Sequence, residues 1–378
     1  MIEQFYNAWH SLNVFAQERG SDVKVKHIWV RQQVLEEIQQ GKYGGRLPTK
    51  QQLAERFGVS IGTVSRALDA LCREGWLECR RGSRVYACVS ALPSVKQIAF
   101  VMTSPAAVVE HAYHGLLFRA LCDVCAEAGI NLLVASVPVS EWRNLPERFP
   151  DTAFYVVAPP ANSVDVLTAL WQAGSSLIVV GASFQEPVAF PTIDSDNRGG
   201  ARRGVEYLLH LGHRRIAYVN GMEHSTNCRD RLAGYLDALQ AWGIEAEPRW
   251  IIRPDDDTHL SPSARNALMD LLLSPERPTA VFCAGYFLAL EVMASAEQLG
   301  IAIPQQLSIL GTDDPVSARH LNPPLTTLRQ PLYQMGRRAA QVLLESLSRR
   351  QMPERVHEKL PVELVTRASC APPAEEKR

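Results

Sequence analysis

A regular alternation of short apolar runs and longer amphipathic segments narrows the folds open to this chain more than any other feature. The runs 98–102, 154–157 and 177–180 are apolar throughout, which is typical of strands buried on both faces. Segments of helical length and periodicity, such as 115–128 and 164–173, separate these runs. Alternation of strands and helices predicts a parallel sheet with helices on both faces.

The alternation begins a second time after a short interruption. A helical segment at 199–211 is followed by the apolar runs 216–219, 280–283 and 307–310, again with helical segments between them. Two series of this kind predict two doubly wound lobes, and a small molecule would bind in the crevice between the lobes.

The composition is that of a globular protein, with 46% hydrophobic and 21% charged residues among 378. No run of about 18 apolar residues occurs, so we expect no membrane span. The first residues lack a basic segment followed by an apolar one, so we expect the protein in the cytosol, with its eight cysteines as thiols.

The charge is distributed unevenly along the chain. Residues 24–89 contain twelve Lys and Arg against six Asp and Glu, a net charge of +6, whereas the whole chain has a net charge of −1. The remainder therefore carries −7. A basic segment beside a mildly acidic one favours a nucleic-acid-binding domain joined to a domain with another task, and a solvated basic face is the alternative.

The basic segment has the pattern of a helix-turn-helix. Residues 27–40 have apolar residues at helical spacing. Thr49 followed by Gln52 predicts a capping box at the start of a second helix. Gly58 predicts a tight turn with positive φ, and Ser60 predicts the N-cap of a third helix. The spacing of the three helices is that of a helix-turn-helix.

The third helix and the segment after it contain the predicted DNA contacts. Val64, Ala67, Leu68 and Leu71 form the inward stripe, so the N-terminal outer face would enter the major groove. Two short strands, 76–80 and 85–87, would form a hairpin with a basic tip that contacts phosphates or the minor groove. For each residue the alternative is a solvated surface position. The predicted contacts are Lys50, Gln51, Ser60, Ile61, Gly62, Thr63, Ser65, Arg66, Arg81, Gly82, Ser83 and Arg84.

Residues 24–88 resemble the winged-helix domain of the gluconate-repressor (GntR) family. The resemblance rests on Leu47-Pro48-Thr49, Leu53-Ala54-Glu55-Arg56-Phe57-Gly58-Val59-Ser60, Thr63-Val64, Arg66-Ala67-Leu68, Leu71, Glu74-Gly75, and Arg80 with Gly82. It implies DNA binding. The family usually has Arg where Gln51, Ile61 and Ser65 stand, and a second Gly where Arg84 stands, so the operator of typical members is not expected.

Residues 96–370 resemble the effector domain of lactose-repressor (LacI) type regulators, which is similar to periplasmic binding proteins. The resemblance rests on Ile193-Asp194-Ser195-Asp196-Asn197, His210-Leu211-Gly212-His213, Arg231-Leu232-Ala233-Gly234-Tyr235, Leu307-Ser308-Ile309-Leu310-Gly311-Thr312-Asp313-Asp314 and Pro323-Pro324-Leu325-Thr326-Thr327-Leu328. A winged helix joined to such a domain is the architecture of arabinose-repressor-like regulators.

The resemblance implies a division of the chain. We expect a helical extension at 1–23, the winged helix at 24–88, a linker at 89–95 and a mobile tail at 371–378. In the family the chain crosses between the lobes three times. The first lobe would comprise about 96–192 and 316–347, and the second lobe about 193–315 and 358–370.

The resemblance also implies where the effector binds. Arg231 matches the family's ligand arginine, and a guanidinium suits a carboxylate, a phosphate or a vicinal diol. Gly285-Tyr286 stands where the family usually has Asn-Asp, so sugar binding is in question. For each candidate a structural role is the alternative. The predicted effector-binding residues are Arg231, Tyr286, Asp313, His111, Tyr113, Arg229 and Trp250.

No pattern indicates catalysis, a metal or a cofactor. The pair Cys122 and Cys125 falls within a predicted helix, and no hydrolase or phosphate-binding motif is present. We therefore expect a ligand-responsive transcriptional regulator, a repressor in most proteins of this architecture, that binds palindromic double-stranded DNA as a homodimer. An activator of the same architecture, or a metabolite-binding module without DNA regulation, is the alternative.

Overall fold

The computed structural model describes residues 23–39, 42, 47–73, 77–80, 84–87, 97–103, 112–184, 187–222, 225–254, 259–349 and 351–374. It divides into two compact units, of which the first comprises 1–95 with 346–352 and the second comprises 96–345 with 353–378. The predicted linker 89–95 lies outside the described residues, as do His111, Arg81, Gly82, Ser83 and the predicted extension apart from its last residue.

In the described part of residues 1–95, three helices pack together: α1 (Val23–Gln39), α2 (Lys50–Phe57) and α3 (Ile61–Arg73). Thr49 starts α2, because its hydroxyl accepts from the backbone N–H of Gln52 at 3.2 Å and the Gln52 side chain accepts from the Thr49 backbone N–H at 2.9 Å. Gly58 ends α2 with φ of 64°. The predicted capping box and turn are confirmed.

The core of the first unit comes from one face of each helix. Val30 and Val34 of α1, Leu53 of α2, and Val64 and Leu68 of α3 are almost completely buried. The predicted inward stripe of the third helix is therefore confirmed. After α3, strands β1 (Leu77–Arg80) and β2 (Arg84–Ala87) pair in antiparallel register and form the predicted hairpin.

The second unit contains twelve described strands in two sheets. They are β3 (Gln97–Met102), β4 (Asn131–Ser136), β5 (Thr152–Val157), β6 (Leu177–Val180), β7 (Thr192–Ser195), β8 (Ile216–Val219), β9 (Ile251–Ile252), β10 (Ala280–Cys283), β11 (Ser308–Thr312), β12 (Thr326–Arg329), β13 (His357–Leu360) and β14 (Glu363–Val365).

Helices connect these strands. They are α4 (Ala112–Ala128), α5 (Leu145–Arg148), α6 (Val164–Gln172), α7 (Asn197–His210), α8 (Thr226–Ala241), α9 (Pro262–Leu273), α10 (Tyr286–Gln298) and α11 (Leu332–Arg349), with 3-10 turns at Val139–Asn144, Ala161–Ser163, Pro248–Trp250 and Val316–His320. None of the helices in the described part of the chain is long and apolar enough to cross a membrane.

Each sheet has six strands and is the centre of one lobe. The order in the first lobe is β13-β7-β6-β5-β3-β4, with every neighbouring pair parallel. The order in the second lobe is β14-β12-β11-β10-β8-β9, and only the β12–β14 pair is antiparallel. All six residues of β5 and all four of β10 are buried, as expected for strands covered on both faces. The predicted α/β fold with a winged helix-turn-helix and two doubly wound lobes is confirmed.

The chain crosses between the lobes three times, after β7, after β12 and after β13. The crossings do not lie at the residues where the sequence predicts them. Thr192–Ser195 and His357–Leu360 pair within the first sheet, whereas Thr326–Arg329 pairs within the second. The lobe boundaries expected at about 193, 316 and 358 are corrected accordingly, because neither an apolar pattern nor the resemblance identifies the sheet that a strand joins. Within the segment 316–347, the helix α11 does contact the first lobe, since the Tyr333 hydroxyl donates to Asp123 at 2.8 Å.

The beginning of the predicted mobile tail is bound to the second sheet. The Ala371 backbone N–H donates to the Ser308 hydroxyl at 3.0 Å, and the Ala371 carbonyl accepts from the buried His213 ring at 2.9 Å. Residues 371–374 therefore belong to the described fold of the second lobe, which corrects the predicted start of the tail.

Candidate functional site: an interlobe cavity and an exposed recognition helix

A cavity of about 640 Å³ lies between the two lobes of the second unit. Its walls come from the ends of strands and the starts of helices in both lobes, where a doubly wound sheet places ligands. The lining residues are Thr103, Ala112, Tyr113, His114, Ala158, Pro159, Pro160 and Gly181 from the first lobe, and Met222, Ser225, Thr226, Asn227, Cys228, Arg231, Ala284, Gly285, Tyr286, Phe287, Leu288, Asp313, Pro315 and Ser317 from the second.

Arg231 provides the positive charge of the cavity lining. It lies in α8 and is 6% exposed. Its Nε donates to Asn197 Oδ1 at 2.9 Å, and another guanidinium nitrogen donates to the Ala284 carbonyl. A guanidinium has five N–H donors, so these two bonds orient the group and leave further donors for a ligand.

Asp313 provides the carboxylate of the lining. It has a φ of 71°, a backbone conformation that side-chain-bearing residues seldom adopt. Three hydrogen bonds hold Asp313: its backbone N–H donates to the Leu328 carbonyl at 2.9 Å, the Thr327 hydroxyl donates to its carbonyl at 2.7 Å, and Gln330 Nε2 donates to its Oδ1 at 2.6 Å. The cavity therefore offers both a charged donor and a charged acceptor.

Two tyrosines give the cavity flat apolar surface. The Tyr286 hydroxyl donates to the Ser317 hydroxyl at 2.8 Å, and its ring meets Phe287 edge to face at 5.5 Å between centroids. The Tyr113 hydroxyl is buried against Gly181. Burial raises the pKa of Tyr113 above its ordinary value.

A buried polar network lies behind the cavity, where the chain crosses between the lobes. Asp194 accepts from the Ser183 hydroxyl at 2.7 Å and from the Ser195 backbone N–H at 2.7 Å. Burial raises the pKa of Asp194 to about 6, and these two hydrogen bonds oppose the increase. The Ser195 hydroxyl also donates to the side chain of Gln330, which joins the first crossing to the second.

No residue of this network is among the site residues that the sequence predicts, and neither is Asn197, which accepts from Arg231. Asp194 and Asn197 stand in the motif 193–197 that carries the family resemblance, so that motif is a usable signal. Gln330 has no such signal, since its two partners are 17 and 135 residues away in the chain.

Four predicted effector residues line the cavity, namely Arg231, Tyr286, Asp313 and Tyr113. Two others do not, and one, His111, lies outside the described residues.

Trp250 and Arg229 are the two corrections. Trp250 is 6% exposed and belongs to the hydrophobic core of the second lobe, because its short 3-10 turn packs onto the sheet. Arg229 is not among the residues that line the cavity; it donates to the Ser183 carbonyl at 2.9 Å and forms an ion pair with Asp230 at 2.8 Å.

The first unit presents the N-terminal end of α3. Ile61 is 53% exposed, and Gly62 and Arg66 are accessible as well, as are Gln51 and Ser60. The Arg66 Nε donates to the Gly62 carbonyl at 3.4 Å. These positions are accessible at the surface of the first unit.

Thr63 is a correction among the predicted DNA contacts. It is 5% exposed, and its hydroxyl lies 2.9 Å from the Ser60 hydroxyl, which also accepts from the Thr63 backbone N–H at 3.2 Å. The side chain therefore helps to cap α3 and does not face outward. Lys50 and Ser65 are bonded to each other at 2.8 Å, so this pair connects α2 to α3. Arg84 lies at the start of β2.

Family models match both units. Residues 29–87 match the model described as Bacterial regulatory proteins, gntR family, and residues 205–370 match the model described as Periplasmic binding protein-like domain. The chain carries a gntR-type helix-turn-helix domain followed by a periplasmic binding protein-like domain. The gntR-type domain contains the exposed end of α3, and the periplasmic binding protein-like domain contains Arg231, Tyr286 and Asp313.

Curated relatives and solved structures are similar to parts of the chain. The HTH-type transcriptional repressor CytR of Escherichia coli is 37% identical over 170 residues, which are 45% of this chain and 49% of the relative, so the match spans about half of that protein. The HTH-type transcriptional repressor PurR of Escherichia coli is 27% identical over 338 residues, covering 82% of this chain and 94% of the relative. A LacI family regulator from Enterococcus faecium, solved with bound ribose, has a TM-score of 0.62 and 25% identity, covering 73% of this chain and 99% of that one.

Proposed function

We propose that this protein is a transcriptional regulator whose affinity for operator DNA changes when a small metabolite binds between the lobes of its second unit. The observation that carries the proposal is the presence, in one chain, of a gntR-type domain with an exposed recognition helix and a cavity with an oriented guanidinium. The names of the relatives CytR and PurR favour a repressor, acting in the cytoplasm where its DNA is found.

The effector that fits the cavity is a small polar metabolite, a sugar or a related compound. A volume of about 640 Å³ is within the range of small-molecule sites. Arg231 would donate to its acidic or hydroxyl oxygens, and Asp313 would accept from its O–H or N–H groups. The relative from Enterococcus faecium is described with ribose, which supports a sugar, whereas Tyr286 supports a ligand with an apolar or flat side.

Lobe closure is the mechanism that the crossings support. The first crossing is bonded to the second through Ser195 and Gln330, and to the third through the Asp196 backbone N–H, which donates to the Leu360 carbonyl at 2.7 Å. A ligand that contacts Arg231 and Asp313 stabilises the arrangement in which both lobes touch it. Its effect on DNA binding can then be no larger than its difference in affinity for the open and closed arrangements of the lobes.

We also propose that the protein acts as a homodimer on a two-fold symmetric operator. In the first lobe β4 is an edge strand, and Val134 on this strand is 49% exposed. Leu116 on the neighbouring α4 is 37% exposed. An exposed strand edge with apolar side chains can pair with another chain, and a second copy would place two recognition helices on two half-sites.

The test begins with selection of DNA from a random duplex library by the full-length protein. Binding of the enriched duplex is then measured by fluorescence anisotropy at fixed salt concentration. We expect Arg66→Ala to weaken this binding at least tenfold, and the control Arg143→Ala, at an exposed position of the second unit, to leave it unchanged. If no duplex is enriched, either by the protein alone or in the presence of a ligand found by thermal-shift screening, the DNA-binding part of the proposal is wrong.

The effector site is tested separately by thermal-shift screening against sugars, sugar phosphates, nucleobases and small acids, since a ligand of the folded state raises its stability. Arg231→Gln should remove the shift given by the wild-type ligand while the enriched duplex still binds in the absence of ligand. A full shift from this variant would show that the ligand binds outside the interlobe cavity.

A further inference from the structure

The apolar side chain of Ile61 occupies an unusual position on the first unit. It is the first residue of α3 and is 53% exposed. The surrounding segment 24–89 is strongly basic, with a net charge of +6. An apolar side chain on a basic surface does not help to attract phosphates, so charge does not explain why it stands there.

The neighbours of Ile61 leave room for a close approach. Gly62 has no side chain, and a Cβ added at that position would meet only the Ser60 hydroxyl oxygen, at 3.9 Å. Thr63 is buried, and Ser65, one turn after Ile61 on the same helix face, is bonded to Lys50 at 2.8 Å. The outer end of α3 therefore offers an isoleucine beside an open backbone.

The chemistry of the major groove supplies one apolar group that such a surface can contact. The C5-methyl group of thymine projects into the groove, whereas the other base-edge groups there are hydrogen-bond donors or acceptors. The positive charge of the segment favours a polyanion over an apolar protein surface as the occupant. We propose that Ile61 selects thymine in the operator by contact with its methyl group. This inference rests on the proposed DNA-binding function.

The experiment uses the full-length protein and the duplex enriched in the selection. Each thymine is replaced singly by deoxyuridine, which removes the methyl group and keeps every hydrogen-bonding group. At one thymine of each half-site we expect binding to weaken about fourfold, the effect of about 0.8 kcal/mol for one buried carbon. At the other thymines, any change in affinity on replacement by deoxyuridine should not depend on Ile61.

Two variants of Ile61 and one control variant test whether this discrimination between thymine and deoxyuridine depends on the Ile61 side chain. Ile61→Ala should bind the thymine and deoxyuridine duplexes equally at that position, at the affinity that the wild type has for deoxyuridine. Ile28→Ala is the matched control, since Ile28 is 57% exposed and lies on α1 of the same unit. It should keep the fourfold discrimination. A new selection with Ile61→Arg should enrich guanine where the wild type enriches thymine, because arginine pairs with the guanine edge.

The results separate this inference from the proposed function. If the wild type binds the enriched duplex and tolerates deoxyuridine at every position, Ile61 does not contact a thymine methyl group and the inference is overturned. The same holds if Ile61→Ala keeps the discrimination. If no duplex is enriched by the wild type, the proposed DNA-binding function itself fails, and the inference fails with it.

Discussion

Replacement of Gly181 tests how tightly the cavity wall is packed. Gly181 has a φ of +76°, and a Cβ built on it would lie 1.9 Å from the Tyr113 hydroxyl oxygen and 3.1 Å from Tyr113 Cζ. Gly181→Ala must therefore strain its backbone and push the phenol ring from its place, toward the cavity that both residues line. We expect a less stable protein with an altered ligand site.

The free-energy cost of the strained backbone and that of the clash with Tyr113 can be measured separately with a second glycine of the same lobe. Gly129 has a φ of +65° with nothing within 4 Å of its Cβ position, so Gly129→Ala carries the backbone cost alone, about 1 kcal/mol. Gly181→Ala adds the overpacking of Tyr113, at about 1–3 kcal/mol. Tyr113→Phe removes the clashing oxygen and leaves only the 3.1 Å approach, so the double variant should recover about 1–2 kcal/mol of this loss.

Urea denaturation of the full chain, followed by tryptophan fluorescence, measures these differences as shifts of the transition midpoint. We expect the order of stability to be wild type, Gly129→Ala, the double variant and then Gly181→Ala. The reasoning is refuted if Gly181→Ala is no less stable than Gly129→Ala. It is also refuted if the effects of Gly181→Ala and Tyr113→Phe add within about 0.5 kcal/mol, since residues in contact should not be additive.

Two further predictions concern stability. Burial lowers the pKa of His213 below its ordinary value. The unfolded chain therefore binds a proton at this histidine more readily than the folded protein does. The stability that the neutral ring contributes is present above about pH 6.5 and is lost as the pH falls through the pKa of the folded state. Melting temperatures recorded from about pH 7.5 to 5 should show this loss, and His213→Gln should flatten the curve; an unchanged slope in the variant would contradict the assignment. Gly234→Ala should destabilise the second unit by about 1–3 kcal/mol, because its Cβ would lie 2.2 Å from the Arg198 backbone oxygen, whereas Gly62→Ala in open space should be neutral or stabilising by up to about 1 kcal/mol. Urea midpoints of both variants would show this contrast, and equal destabilisation would argue against it.

Local features of the fold were predictable because they depend on neighbours in the chain. The capping box of Thr49 and Gln52, the left-handed Gly58 and the inward stripe of α3 follow from residues within one or two turns of each other. The apolar runs predict the buried parallel strands for the same reason. Their short length, together with apolar residues at every position, favours strands covered on both faces.

The site was predicted in part. Arg231 and Asp313 could be placed at the cavity because each belongs to a recognisable motif. The roles of Thr63 and Trp250 could not be predicted. A threonine at the start of a helix either caps that helix or contacts DNA, and an indole beside a strand either packs in the core or faces a crevice. Burial decides between such alternatives, and burial depends on distant parts of the chain.

Local pattern and residue type predicted the helix-turn-helix and the two βα series, and the family resemblance added the two charged groups of the cavity, Arg231 and Asp313. They were not sufficient to assign the strands 192–195, 326–329 and 357–360 to a sheet, which the folded second unit does through backbone pairing. Nor did they indicate that Gln330 holds Asp313 while bonding to Ser195. These features depend on pairing and packing between segments that are far apart in the chain, and the free energy of such contacts exists only when the whole second unit has folded.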